Sequence, residues 1–354
     1  MRIGWLFVYI ILTSCNSRKT ADQSALLADT LGMSRRMKAM PDSVVNYIHA
    51  ALDSMQQGSI RKAYVDWPQI RKATFQKAKG AVSYRQTYPA LHAALQALGD
   101  HHSFLITPEQ HQQWAGKGQV NATKPDPAEA MMLDNQFALL RVYTFNSGDP
   151  KQMESYALDL QARIKELEAQ NPLGWIIDLT YNSGGNMWPM LAGIGPLAGE
   201  GVLGSFLAAD STRTPWSYEK GEVKAGNELV LKVANPYRLK NQQAPIALLV
   251  SERTASSGEA ILVSFMGRPN TRIIGTPTAG LSTANQSITL VDGAKLILTT
   301  AVFTDRSGKT YGRQIVPDAD LSDKWYFVFG FYHHVMKREA KDWIVKMNEN
   351  RKNK

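Results

Sequence analysis

The sequence predicts an α/β protein with parallel strands. Beyond residue 137, apolar runs of strand length alternate with segments whose apolar residues recur at helical spacing. Two of those runs, Trp175-Ile176-Ile177-Asp178-Leu179 and Ile246-Ala247-Leu248-Leu249-Val250, read as buried strands, each followed by a small-residue turn and an apolar helix. Hydrophobic residues make up 44% of the chain, ample for a packed core. The 354 residues suit one medium-large domain with an appendage, or two small domains.

Residues 1–14 have the form of an export signal. One early charge, Arg2, precedes an apolar run from Ile3 to Leu12, and small residues follow. The run is short for a transmembrane helix. Leu12-Thr13-Ser14-Cys15 resembles the bacterial lipobox, which implies lipidation of Cys15 and a membrane anchor, and Asn16 after it leans towards the outer membrane, facing the periplasm. The alternatives are a signal peptide that happens to contain a Cys, or an uncleaved anchor. Cys15 is the only cysteine, so the rest of the chain has no disulfide and no thiol metal site.

Residues 15–38 read as a polar tether. Residues 39–105 read as a helical bundle: Val44, Val45, Ile48 and Leu52 share one face, and Tyr88, Leu91, Leu95 and Leu98 share another. Residues 106–133, with Gly116, Gly118, Pro125 and Pro127, read as a loop-rich connection, too short for an inserted PDZ domain. Residues 134–354 form the core and a C-terminal helix from about Met336. In the core, residues 137–143 read as a strand and 153–169 as a helix, with a third short strand at 272–274. Residues 287–291 and 295–303 flank Asp292-Gly293 as a hairpin. An apolar, aromatic patch spans residues 325–332. The formal charge of +9 sits partly in the tail Arg351-Lys352-Asn353-Lys354 and reads mostly as solvated surface. There is no aromatic-plus-basic motif for nucleic acid.

Chemistry concentrates at the corners. Thr254-Ala255-Ser256-Ser257-Gly258-Glu259 follows a strand and opens a helix, a geometry that presents a serine hydroxyl beside free backbone amides. The same Ser256-x-x-Glu259 spacing is also a capping box. Asp178-Leu179-Thr180-Tyr181-Asn182-Ser183-Gly184-Gly185-Asn186 is a second such corner, able to bind an oxyanion or to be a tight turn. Phosphate is disfavoured there, since G-x-G-x-x-G and a Walker lysine are both missing. Leu98-Gly99-Asp100-His101-His102-Ser103 offers a general base, and only one of two adjacent histidines can enter a site. His92 and His111 stand at irregular spacing and support a metal weakly. Gly275-Thr276-Pro277-Thr278-Ala279-Gly280 is a polar loop, and Asp305 and Asp318 are acidic loop positions.

Read in order, these segments resemble the serine peptidases of the C-terminal processing peptidase and tricorn-core family, over roughly residues 60–320. The resemblance implies a crotonase-like (ClpP/crotonase) core of spiral ββα units. By position it makes Ser256 the nucleophile and assigns the oxyanion hole to the amides of Ser257 and of Gly184 or Gly185. The processing branch uses a lysine twenty-five residues past the serine, where this chain has Leu281, so the lysine dyad is excluded. The tricorn-like branch uses a histidine that maps onto His102. That branch also carries a late glutamate to orient the histidine, and residues 309–316 here contain no carboxylate. Asp305 or Glu259, or a hydroxyl or backbone carbonyl, is left to take its place. The expected function is a lipid-anchored serine endopeptidase of the cell envelope, acting on extended peptides or unfolded protein and needing no metal or organic cofactor. The alternative is a non-catalytic protein that binds peptides or apolar ligands on the same scaffold.

Overall fold

A computed structural model describes residues 39–113, 130–322 and 332–352. The export signal with Cys15, the tether, most of the loop-rich connection and the aromatic patch up to residue 331 lie outside the described residues.

The chain opens with three helices, α1 (Asp42–Gly58), α2 (Trp67–Lys77) and α3 (Tyr84–Ala97). In α1, Val44, Tyr47, Ile48, Ala51, Leu52 and Met55 are buried, the spacing of a single helix face. The Asp66 side chain caps α2 by accepting from the Gln69 amide.

Then follow β1 (Phe104–Ile106), β2 (Ala130–Leu133), β3 (Phe137–Arg141), α4 (Pro150–Glu168), β4 (Gly174–Asp178), α5 (Met187–Ala198), β5 (Gly201–Ala208), β6 (Arg213–Glu219), β7 (Glu222–Ala225) and β8 (Glu228–Lys232). The chain continues through β9 (Ile246–Val250), α6 (Ser257–Phe265), β10 (Thr271–Gly275), β11 (Thr283–Thr289), β12 (Lys295–Asp305), β13 (Ala319–Asp320) and α7 (Tyr332–Lys352).

The strands form two sheets. One has the order β13-β10-β9-β4-β3-β2, parallel except for the β2–β3 pair. Its central strands β4 and β9 are buried along their whole length, as apolar strands covered on both faces must be. One face packs on α7 through Ile176, Leu249, Met336 and Ile344, while the other packs on α4, α5 and α6. The second sheet is antiparallel, ordered β1-β12-β5-β6-β7-β8, with β11 on the other side of β12. The three N-terminal helices share a core with the β11–β12 hairpin through Leu290, Leu296 and Leu298.

The structure departs from the sequence reading in several places, and strand β1 already begins at Phe104, inside the segment read as a helical bundle. The meander β5–β8 had no predicted strands: its half-exposed segments carry Gly, Pro and charged residues, so their apolar signal is weak. Strand β2 lies inside the stretch read as loop. Strand β11 starts at Thr283 rather than near 287, because polar Thr-Ala-Asn-Gln pairs with β12 across a bulge at Ala284/Asn285. Helix α7 begins at Tyr332 rather than near Met336.

Candidate active site

The β9–α6 corner is held by its small hydroxyls. Thr254 Oγ1 accepts from the Ser251 amide at 3.0 Å and donates to the Leu179 carbonyl at 2.9 Å. The Ala255 amide reaches the Asn182 carbonyl at 3.0 Å, so this turn is tied to the turn after β4. Ser256 follows with φ 52° and ψ −116°. An ordinary helix cap has extended backbone. Ser256 is instead in a sparsely populated region that costs about 1–3 kcal/mol and persists only where its surroundings enforce it. The Ser256 amide donates to Glu259 Oε2 at 2.9 Å, the glutamate half of a capping box.

The β4–α5 corner lies directly against it. A Cβ on Gly184 would stand 2.9 Å from the Ser256 Cβ, and Gly184 has φ +109°, so both space and backbone call for glycine. The Gly184 amide donates to Asn182 Oδ1 at 3.1 Å. Asn182 is fully buried, and its Nδ2 bonds to the Val142 carbonyl at 3.0 Å. The Ser257 hydroxyl donates to the Gly185 carbonyl at 2.5 Å.

Of the adjacent histidines, His101 is exposed, with φ 59°, and His102 is buried. The left-handed turn at His101 is what sends the two side chains to different environments. Asp100 secures the segment by accepting from the His102 amide at 2.9 Å and from the amide and hydroxyl of Ser103, both at 2.7 Å. Asn285 Nδ2 donates to the His102 carbonyl at 3.0 Å. His102 Nδ1 lies 2.7 Å from Thr283 Oγ1. Burial pulls the imidazole below its ordinary pKa, and the Asp100 carboxylate opposes that pull.

The two acids suggested by sequence are used elsewhere. Asp305 folds its own turn, accepting from Ser307, Lys309 and Tyr311. Glu259 accepts from the Ser256 amide, from Thr278 Oγ1 at 2.5 Å and from the Gly280 amide at 3.2 Å. Burial pushes its carboxyl up to about 7, against the pull of these hydrogen bonds. The group on the His102 ring is Thr283, which the sequence reading did not single out, since it is one of several threonines in a polar stretch. One loop, residues 278–283, therefore holds Glu259 and the Ser256 turn at one end and His102 at the other.

Residues 136–321, more than half of the chain, match the model for Peptidase family S41. The chain belongs to peptidase family S41. The nisin-resistance protein of Lactococcus lactis subsp. lactis is 30% identical over 285 residues, covering 80% of this chain and 85% of that one. A lipoprotein from Streptococcus agalactiae of known structure is 25% identical, with a TM-score of 0.69 over 87% of this chain and 98% of that one. The photosystem II D1 C-terminal processing protease shares the fold at 14% identity, with a TM-score of 0.56 over 80% of this chain and 94% of that one.

Within this S41 chain, no group of three or more His, Cys, Asp or Glu side chains suited to a metal occurs among the described residues. The corner chemistry is that of a hydroxyl at a helix start. The α6 N-terminus brings the Ser257 amide towards whatever the Ser256 hydroxyl would attack. The facing turn meets it through the Gly185 carbonyl, which accepts from the Ser257 hydroxyl.

Proposed function

We propose that this S41 member is a serine endopeptidase that works through an acyl-enzyme on Ser256, with His102 as general base. The observation that carries the reading is the Ser256 backbone, which is held in a costly conformation at a strand-to-helix turn. In the tautomer with Nδ1–H donating to Thr283 Oγ1, the Nε2 lone pair is free to take the Ser256 proton. The Ser256 Oγ then adds to the scissile carbonyl carbon. The oxyanion is held by the Ser257 and Gly185 amides, because the Gly184 amide is already engaged by Asn182. His102 returns the proton to the leaving amine, and water, deprotonated by the same imidazole, releases the acyl group. Thr283 fixes the ring in the place where related sites use a carboxylate. A neutral hydroxyl stabilises the imidazolium less than a carboxylate, so the expected rate is modest.

The substrate is an extended peptide, and the core has the crotonase-like spiral arrangement implied by the resemblance. Similarity to a nisin-resistance protein over most of both chains supports a peptide met at the cell envelope. Similarity to a streptococcal lipoprotein supports anchoring through Cys15 after export. Outer-membrane attachment facing the periplasm is the version of this reading that Asn16 favours.

Fluorophosphonate labelling of the intact chain, with the adduct located by mass, tests the mechanism. The expected result is an adduct on Ser256 that is lost in both Ser256→Ala and His102→Ala. The labelling rate should fall towards acid with a midpoint below the ordinary imidazole value of about 6.5, because the buried ring resists its proton. No adduct on folded protein would overturn the reading. The alternative, a non-catalytic binder of peptides or apolar ligands, would then stand, and the neutral partner of His102 is the observation that favours it.

A further inference from the structure

A second group of side chains gathers at the C-terminal ends of β3, β4 and β9, where open parallel sheets commonly bind ligands. Its centre is the ring of Tyr181, 42% exposed. His333, in the first turn of α7, stacks on that ring with centroids 5.2 Å apart, and its Nε2 lies 3.0 Å from the Tyr181 hydroxyl. The guanidinium carbons of Arg141 and Arg253 each lie 5.5 Å from the ring centroid. The two arginines are used differently. Arg141 is bound to buried Asp178 at 2.8 Å and to the Tyr143 hydroxyl at 3.0 Å. Arg253 is exposed, and among the described residues its guanidinium is paired with no carboxylate.

The local charge is unbalanced. The charges that act most strongly on His333 are the cations Arg141, Arg253 and Lys337 and the carboxylate of Asp178, which is ion-paired to Arg141. The other acids of this rim are also engaged: Glu252 accepts from Thr276, and Asp320 from Ser322. The His333 Nδ1 is buried and has no hydrogen-bond partner among the described residues. A buried nitrogen without a protein partner and an exposed guanidinium, both on the Tyr181 ring, leave hydrogen-bonding groups available to an anion. A guanidinium resting on an aromatic face also keeps its N–H fork available for the two oxygens of a carboxylate.

The cluster shares its loops with the chemistry described above. Arg253 stands three residues before Ser256, and Tyr181 three residues before Gly184. We propose that Arg253, supported on Tyr181 and flanked by His333, binds a carboxylate of the peptide substrate. The substrate class is then a peptide with an acidic group, either its free C-terminus or an Asp or Glu side chain. This assignment rests on the peptidase reading for the word substrate, but its binding chemistry does not.

The test uses the intact chain carrying Ser256→Ala, so that no turnover intervenes. Two probe pairs separate the sources of the carboxylate: an acetylated alanine pentapeptide as free acid and as amide, and a Glu-containing amidated pentapeptide against its Gln twin. Binding is followed by calorimetry and by the NMR signal of the Arg253 Nε–H. The expected result is a preference of about tenfold or more for the carboxylate member of at least one pair, with a saturable shift of the Arg253 signal. Arg253→Gln should erase that preference, while Arg253→Lys, which keeps charge without the fork, should retain part of it. Overturning results are no carboxylate-dependent binding in either pair, or a preference that survives Arg253→Gln at unchanged melting temperature. Fluorophosphonate failing on Ser256 while the preference stands would remove the peptidase reading and leave the carboxylate site.

Discussion

The two strand-to-helix corners solve the same backbone problem with different residues. At the β4–α5 corner the positive φ angles fall on Gly184 and Gly185, residues that adopt them without penalty. At the β9–α6 corner the positive φ falls on Ser256, a residue that resists it. Glycine would have been the cheaper choice at position 256, and it would have carried no hydroxyl. The difference falls at the side chain to which the proposed mechanism gives the nucleophile's role. It also shows what enforces that strain: Glu259 on the Ser256 amide, and Asn182 and Thr254 on the turn before it.

Gly184→Ala breaks the comparison most severely, because it adds strain to the corner that had none and drives a Cβ to 2.9 Å from Ser256. Fluorophosphonate labelling should slow by on the order of a hundredfold or more, with about 2–4 kcal/mol lost in urea denaturation. Labelling at the wild-type rate would show that the corners do not cooperate.

Glu259 gives the next largest effect. Its folded pKa, about 7, is raised above the ordinary 4.5, so the folded state holds the proton more tightly than the unfolded chain does. The associated stability is fully present below pH 4.5 and is lost as the pH rises through about 7, a change of about 3 kcal/mol. Across that window the urea midpoint of the wild type should fall relative to that of Glu259→Gln, the difference isolating this carboxyl from the histidines that titrate there too. Parallel curves would mean the carboxyl does not titrate there.

Thr283→Val keeps the shape of the side chain and removes the partner of His102 Nδ1. Labelling should slow by roughly ten- to a hundredfold, less than the full general-base contribution, and Thr283→Ser should recover most of it. A rate unchanged in Thr283→Val would put the orienting role elsewhere.

The smallest effect sharpens the comparison. Ser256→Gly should be more stable than Ser256→Ala by about 1 kcal/mol, because only the glycine relieves the φ of 52°. Equal urea midpoints would mean that the strain is carried outside this residue.

Much of this arrangement was legible in the chain. Buried parallel strands are apolar throughout, so β4 and β9 and the corners after them stood out, as did the double glycine and the serine before Glu259. The meander β5–β8 did not, because strands with one wet face mix apolar and charged residues and need their neighbours to be recognised. Thr283 was hidden for another reason. Its contact with His102 spans 181 positions, and nothing local distinguishes it from Thr276 or Thr278. The Tyr181 cluster was equally silent, assembled from residues near the ends of three strands and from α7.

The β11–β12 hairpin has its turn in the N-terminal helices, where the carboxylate of Asp292 accepts from the hydroxyls of Tyr47 and Tyr88. Its base carries Thr283 against His102. Gripped at its tip by the helices and set against His102 at its base, the hairpin makes the helices and the His102 segment parts of one framework. On the proposed reading, loosening Tyr47 or Tyr88 at the tip should change the labelling rate at Ser256 without touching either Ser256 or His102.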